Sequence, residues 1–345
     1  MTVAARGRRW KIAVIGCGEW GPNHIRNFSS LPESEVVAVA DMREERLARV
    51  AADFPAIARY TDAAAMLALP ELDAVVVATP AKTHYAIVRA VIEAGKHVLC
   101  EKPLCTTSDD SAAIVKLAEE RKTLLMVGHV FLFNRGIRKL KEIITDRTLG
   151  RVFYLMSRRT GLGPIRRDVS ALWDLAAHDV SIANFLLDAM PFEVSAVGQA
   201  YLQDGIDDLS FLTLRYPENV IANIQVSWID PKKVREITVV GQEKMACWNE
   251  LVTPGPVTIF DTAIVRAPRH YADFGEFQLL TREGDITIPR VVAEEPLRLQ
   301  ARAFLEALTT GEVKDGDGRH AVEVTRVLDA ATRSMAARGA PVEVR

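Results

Sequence analysis

The stretch WDLAAHD, residues 173–179, holds an aspartate and a histidine four positions apart, Asp174 and His178. On a helix that spacing puts both side chains on one face, about one turn from each other. Three chemistries suit such a pair. It could be half of a metal site. It could be a proton relay, in which the carboxylate orients an imidazole that titrates near neutrality. It could also be an amphipathic helix that buries a histidine in its core. A metal site needs further ligands at matched spacing, and no H-E-x-x-H or C-x-x-C pattern supplies them. A second reactive candidate is Lys102, which follows the apolar run HVLC and precedes Pro103. A lysine there lies at the carboxyl end of a strand, where doubly wound sheets bind ligands. The proline removes an N–H and stiffens the exit. Such a lysine could orient a hydroxyl or help to deprotonate it; alone, it reads as readily as a solvated strand end.

A third pattern is GCGEWG, where Gly16, Gly18 and Gly21 form G-x-G-x-x-G. The motif by itself is weak, but here it follows a strand-like run and opens a helix, which is the context it requires. The glycines let the backbone turn sharply and approach a pyrophosphate, and the helix N-terminus favours the negative charge. Asp41 comes twenty residues after Gly21, at the end of the next apolar run. A carboxylate in that place accepts hydrogen bonds from the ribose hydroxyls of NAD and repels the 2′-phosphate of NADP. Arg43 pulls the other way, because it could pair with that phosphate.

The elements that must position these residues are legible as two patterns. Over the first third, apolar strand candidates at 11–16, 35–41, 73–79, 97–103 and 123–131 alternate with helix candidates at 21–30, 43–54, 83–95 and 108–122. That alternation predicts a parallel sheet with helices on both faces. After about residue 150 longer strand candidates follow one another, separated by turns such as PEN (217–219) and DPKK (230–233), and predict a large, mostly antiparallel sheet. Two helices, 296–311 and 319–339, close the chain. The expected architecture is α/β: a doubly wound parallel-sheet domain over 1–130, and a second domain over 131–345 with the large antiparallel sheet, whose terminal helices are free to pack on the first.

Composition sets the outer bounds. The 345 residues carry a formal charge of −2, which makes no general case for nucleic acid. No apolar run reaches the roughly 18 residues of a membrane span, and the basic N-terminus leads into too short an apolar run for a signal peptide. Four scattered cysteines, Cys17, Cys100, Cys105 and Cys247, give no disulfide framework and suit a reducing cytoplasm.

The glycine loop, ATPAKTHY (78–85), AGKHVLCEKP (94–103), the D-x-x-x-H pair and the ending around Ser334 and Gly339 together resemble the Gfo/Idh/MocA oxidoreductase family. The resemblance implies that the first domain, 1–130, is a Rossmann domain that binds NAD. It implies that the second, 131–345, is an α/β domain for substrate binding and oligomerisation, whose open sheet joins copies into a homodimer or homotetramer. It implies catalytic roles for Lys102, Asp174 and His178, with His178 as acid/base, Asp174 orienting it and Lys102 assisting. The same reading puts Gly16, Gly18, Glu19, Trp20, Gly21, Asp41, Met42, Arg43, Thr79, Pro80, His84, Glu101 and Lys102 at the cofactor. It puts Asn134, Arg158, Arg166, Arg167 and Trp173 at the substrate, beside Lys102, Asp174 and His178. No metal is expected, since hydride transfer needs none. A cofactor-binding regulator without turnover is disfavoured, because it has no use for a proton relay.

GEWGPNHIRNF (18–28), GHVFLFNRGIRKLKEII (128–144), RRDVSALWDLAAHDVSI (166–182) and SWIDPKKVREITVVG (227–241) resemble a narrower group that oxidises nucleotide-linked sugars. Ala177 departs from that group, where proline often precedes the histidine. The expectation is NAD-dependent oxidation at C3 of a UDP-sugar, best UDP-N-acetylglucosamine, with a PLP aminotransferase consuming the ketone for surface polysaccharide or lipid A. A ketoreductase on a deoxysugar nucleotide and an inositol or free-sugar dehydrogenase stay as alternatives. One charge observation supports a phosphorylated substrate. From Arg135 to Arg167 there are ten Lys or Arg and two Asp or Glu, so 10 − 2 gives +8. Arginine forks suit a diphosphate; carboxylate pairing or a solvated face would explain the same charge.

Overall fold

The computed structural model describes residues 8–266 and 279–345. Residues 1–7, the start of the basic stretch expected not to form a signal peptide, lie outside the described residues. Six short strands form the first sheet: β1 (Trp10–Ile15), β2 (Ser34–Ala40), β3 (Ala58–Tyr60), β4 (Ala74–Val77), β5 (His97–Cys100) and β6 (Leu125–Val127). β4 is AVVV, buried at every position, as a central strand covered on both faces must be. Helices α1 (Gly21–Ser29), α2 (Glu44–Asp53), α3 (Ala63–Leu67), α4 (His84–Glu93) and α5 (Ser108–Glu120) connect the strands. All neighbours run parallel in the order β3-β2-β1-β4-β5-β6. The order reverses at β1, so the carboxyl ends of β1 and β4 flank the switch point where such sheets bind ligands. Sequence reading missed β3 and α3: three residues with no buried side chain carry no apolar signal.

The second sheet has nine strands, in the order β16-β13-β12-β11-β7-β10-β9-β8-β17. They are β7 (Val152–Leu162), β8 (Glu193–Gln199), β9 (Leu209–Arg215), β10 (Ile221–Ser227), β11 (Ile229–Gly241), β12 (Met245–Asn249), β13 (Val257–Phe260), β16 (Ile286–Thr287) and β17 (Val342–Glu343). β14 (Ala263–Arg266) and β15 (Leu279–Arg282) make a separate pair. Every pairing in the nine-stranded sheet is antiparallel except β7 with β10. DPKK is not the expected turn between strands. It lies inside β11, where the register slips between Ile229 and Val234, so the chain bulges and continues. Helices α6 (Arg135–Thr145) and α7 (Ala177–Leu187) belong with this sheet, and α7 packs on β7 and β10.

Two helices follow: α8 (Pro296–Thr310) and α9 (Gly318–Ala336). The chain divides into two units, one running to Phe133 and resuming over Glu294–Asp329, the other covering Asn134–Ala293 and Ala330–Arg345. α8 thus belongs with the parallel sheet, its Phe304 ring edge-on to Phe28 of α1 at 6.3 Å. The expected boundary after residue 130 falls in the 3-10 turn Val130–Phe133, just before the change of unit.

Candidate active site

The glycine loop lies between β1 and α1, and each glycine answers to a different constraint. Gly16 has φ +95°, and a Cβ there would come within 2.6 Å of the Ala78 carbonyl oxygen. A Cβ on Gly21 would come within 2.0 Å of the Gly16 oxygen, so helix and loop could not close. Gly18 is different. A Cβ there would meet nothing nearer than the Arg46 guanidinium at 3.6 Å. No protein neighbour requires a glycine at that point, which fits a backbone that a ligand must approach. α1 carries no side-chain N-cap, so its first-turn N–H groups suit an anion. This cradle fits the pyrophosphate of NAD.

Asp41 immediately follows β2. Its Oδ2 accepts from the Cys17 N–H at 2.8 Å and its Oδ1 from the Arg43 N–H at 2.9 Å. The carboxylate therefore ties the glycine loop to the strand end while retaining lone pairs for further donors. Arg46, in the first turn of α2, lies 3.3 Å from Asp41 Oδ2. Sequence reading singled out Arg43 and missed Arg46. Arg43 is exposed, and its recorded tie to Asp41 is through the backbone. Around the same loop Trp20 is 45% and Met42 90% exposed, both large apolar side chains left without cover by the protein. Glu19 and Pro80 are exposed and Thr79 half-buried.

Lys102 stands half-buried beyond β5, in a turn crowded with titratable groups. Burial alone would raise the Glu101 carboxyl, but the His24 hydrogen bond at 2.8 Å and the charges of His24, Lys102 and His84 hold it below the ordinary carboxylate range. Glu101 is thus an anion beside Lys102. His84, the first residue of α4, is buried and does not cap its helix through its side chain. Its Nδ1 lies 2.8 Å from the Pro103 carbonyl and its Nε2 2.8 Å from the Thr79 carbonyl. It bridges the segments after β4 and β5. Burial depresses its pKa, opposed by those two carbonyls and Glu101. His129, two residues past β6, was not foreseen. It is buried, stacked edge-on against His320 at 5.1 Å, and kept neutral by burial and then by the charges of His320 and Lys102.

In the other unit, Asp174 lies in a π-helical turn, Leu172–Ala176, and His178 follows at the start of α7. The expected continuous α-helix is replaced by a wider turn leading into one, a local irregularity frequent at functional sites. Asp179 locks this start to the sheet. Its Oδ1 accepts from Ser157 Oγ at 2.6 Å, and Arg159 of β7 meets both its oxygens at 2.7 and 3.2 Å. The Trp173 indole N–H donates to Thr332 Oγ1 at 3.2 Å, so one edge of that ring is anchored.

The arginines and Asn134 are placed less simply. Arg159 is consumed by Asp179. Arg166 meets Asp168 with two nitrogens and Asp174 with a third, so part of the +8 segment is answered by carboxylates. Arg158 points from β7 to the face opposite α7, in register between Gln225 and Glu236, while Arg167 is exposed. Asn134 caps α6, its Oδ1 accepting from the Gly136 and Ile137 N–H groups at 2.8 and 3.3 Å.

Comparison with known proteins decides the family. Residues 10–129 match the model of the Gfo/Idh/MocA oxidoreductase family, NAD-binding Rossmann fold, and residues 137–247 match the Gfo/Idh/MocA C-terminal domain. The UDP-N-acetylglucosamine 3-dehydrogenase of Acidithiobacillus ferrooxidans is 30% identical over 238 residues, covering 68% of this chain and 72% of that protein. The chain belongs to the Gfo/Idh/MocA oxidoreductase family. The parallel sheet is therefore the family's NAD-binding domain, and the protein is an NAD-dependent oxidoreductase. The solved structure of the Acidithiobacillus ferrooxidans enzyme superposes with a TM-score of 0.78 at 25% identity, covering 95% of this chain and 97% of that one. Inositol 2-dehydrogenase 2 of Saccharopolyspora erythraea is 33% identical over 225 residues, covering 62% of this chain and 66% of that protein. The family thus brings two substrate chemistries within similar distance.

Proposed function

We propose that this chain is a sugar or polyol dehydrogenase whose substrate is a UDP-sugar, best UDP-N-acetylglucosamine, oxidised at the C3 hydroxyl to the ketone. The observation that carries the reading is the anchored Asp174–His178 segment, an acid/base pair on a turn that Asp179 fixes to β7. NAD, when bound, supplies the hydride acceptor. Gly16, Gly18, Gly21 and the start of α1 hold its pyrophosphate, and Asp41 takes the ribose hydroxyls. Glu19, Trp20, Met42, Arg43, Thr79, Pro80, His84 and Glu101 line or support its seat. His178 takes the hydroxyl proton, Asp174 orients the imidazole, and Lys102 assists at the same oxygen. Trp173 and Arg167 lie beside the sugar nucleotide. The ketone is a substrate for a PLP aminotransferase that makes a 3-amino sugar. Four free cysteines suit a cytoplasmic setting, and among the described residues no helix is long and apolar enough to cross a membrane.

One observation favours a second reading, oxidation of an inositol or free sugar. Arg159 and Arg166 are paired with carboxylates, so the positive segment offers a diphosphate less than its charge suggests. The test is NADH formation, followed by near-UV absorbance, with purified protein, NAD and either UDP-N-acetylglucosamine or myo-inositol. An aminotransferase and its amino donor are added to the first to draw off the ketone. Turnover confined to the nucleotide sugar, and abolished in His178→Ala while NAD still binds, is the expected result. Turnover confined to myo-inositol transfers the assignment to the second reading, and a fully active His178→Ala removes the histidine from it.

A further inference from the structure

Arg166 stands in a network that the charge count alone could not disclose. Its Nε donates to Asp168 Oδ1 at 2.9 Å and its Nη2 to Asp168 Oδ2 at 2.6 Å, a two-pronged pair. The remaining Nη1 reaches Asp174 Oδ1 at 3.1 Å. Its own backbone carbonyl accepts from Gln203 Nε2 at 2.8 Å, so the residue is held at both ends. The side chains of Arg166, Asp168 and Asp174 are 31%, 22% and 17% exposed, which places the trio largely out of water. One guanidinium and two carboxylates sum to −1. A diphosphate that captured Arg166 would have to compete with this two-pronged pair and would take a cationic partner from two half-buried carboxylates.

We infer that Arg166 is a positioning residue: it fixes the Asp174 carboxylate in the middle of the π-helical turn and is not a partner for a phosphate. The fixed planar fork makes this possible. Asp168 sets the orientation of the guanidinium plane, and the third donor then dictates where one oxygen of Asp174 sits. Asp174 lies on a turn with widened hydrogen bonding, so a second constraint from outside the helix specifies its direction. The inference rests on the assignment of Asp174 and His178 as the proton relay.

The test is a double-mutant cycle, read with NAD and UDP-N-acetylglucosamine, and in parallel with NAD and myo-inositol. Arg166→Ala lowers kcat roughly 10- to 100-fold, the scale of a small misplacement of a catalytic group, with KM within about twofold of wild type. Arg166→Lys recovers part of the loss, since an ammonium can meet one carboxylate but does not reproduce the fork. In an Asp174→Asn background, Arg166→Ala costs little more, because its effect runs through the missing carboxylate. A KM for the nucleotide sugar that rises about tenfold with kcat unchanged overturns the inference. So does a full Arg166→Ala loss that persists beside Asp174→Asn. If Asp174→Asn alone retains full turnover, the relay assignment fails instead, which is a separate result. Hydrogen exchange gives a readout independent of substrate: amides of residues 172–178 exchange faster in Arg166→Ala, with β7 to β10 unchanged. Unaltered exchange there counts against the inference whichever alcohol is oxidised.

Discussion

Single residues in this chain differ in what makes them irreplaceable, and the difference is testable. Gly21 is dictated by the protein: a Cβ would stand 2.0 Å from the Gly16 oxygen. Gly18 lies outside the positive-φ residues, and a Cβ there makes only an ordinary van der Waals contact with the Arg46 guanidinium at 3.6 Å, so alanine fits the polypeptide there. We predict that Gly18→Ala leaves the thermal midpoint within about 1 °C, since the methyl meets the Arg46 side chain at ordinary contact distance and displaces nothing. Its NAD affinity, measured by titration calorimetry, falls at least about tenfold because the methyl occupies the pyrophosphate's approach. Equal NAD affinity would mean that the cofactor does not lie against this loop. Both glycines belong to one motif in the sequence; only the surroundings separate the structural one from the one left for a ligand. The histidines teach the same lesson. His84, expected beside the cofactor, bridges two carbonyls, while His129 carries no sequence signal because its partner, His320, lies far along the chain.

At the scale of elements, the relay depends on how α7 is tied down. The helix is buried almost all round, so hydrophobic burial holds it without fixing its rotation. Rotation is set by the Asp179 carboxylate, 1% exposed, with Arg159 at 4% and Ser157. A buried ion pair contributes little net stability when both partners are present, but removing one leaves a buried charge without compensation. Arg159→Ala therefore destabilises the second unit by about 3–5 kcal/mol, whereas Arg159→Met with Asp179→Leu recovers most of that. Urea unfolding followed by fluorescence measures both, and equal losses in the two variants would refute the buried-charge account. The double variant, though stable, is expected to turn over slowly, because His178 loses its fixed bearing.

The largest structural consequence concerns the nine-stranded sheet. One face is filled by side chains such as Leu155, Ile224 and Leu212, against which α7 packs. The other presents Tyr154, Met156, Phe211 and Ile221, each at least 38% exposed, on the three neighbouring strands β7, β9 and β10. The register sets Tyr154 beside Ile221 and Met156 beside Asn223, so exposed apolar side chains alternate with polar ones on that face, as at an interaction surface. It fits the expected homodimer or homotetramer, since a second copy of the same sheet face is self-complementary. We predict that sedimentation equilibrium gives a dimer or tetramer for the wild type. Met156→Asp combined with Phe211→Asp shifts it to the monomer without loss of far-UV circular dichroism. A monomeric wild type would leave the patch for a different partner.

The sequence by itself determined the parallel sheet and the glycine loop with its acid. These rest on local causes: apolar runs of strand length, a turn that only glycine can make, and the spacing from Gly21 to Asp41. It also gave the order of the long strands after residue 150. Tertiary structure alone decided what each charge is for. Arg159, Arg166 and Arg158 are equivalent in a count of +8, yet the fold spends the first on Asp179, the second on Asp168 and Asp174, and turns the third to the open sheet face. Period-two alternation along β7 separates Arg158 from Arg159, but which face is buried depends on strands more than sixty residues away. Likewise DPKK reads as a turn because local propensity favours one, and the pairing of β11 with β7 overrides it as a bulge. Charge and turn propensity are local properties, whereas their partners are set by packing between distant segments.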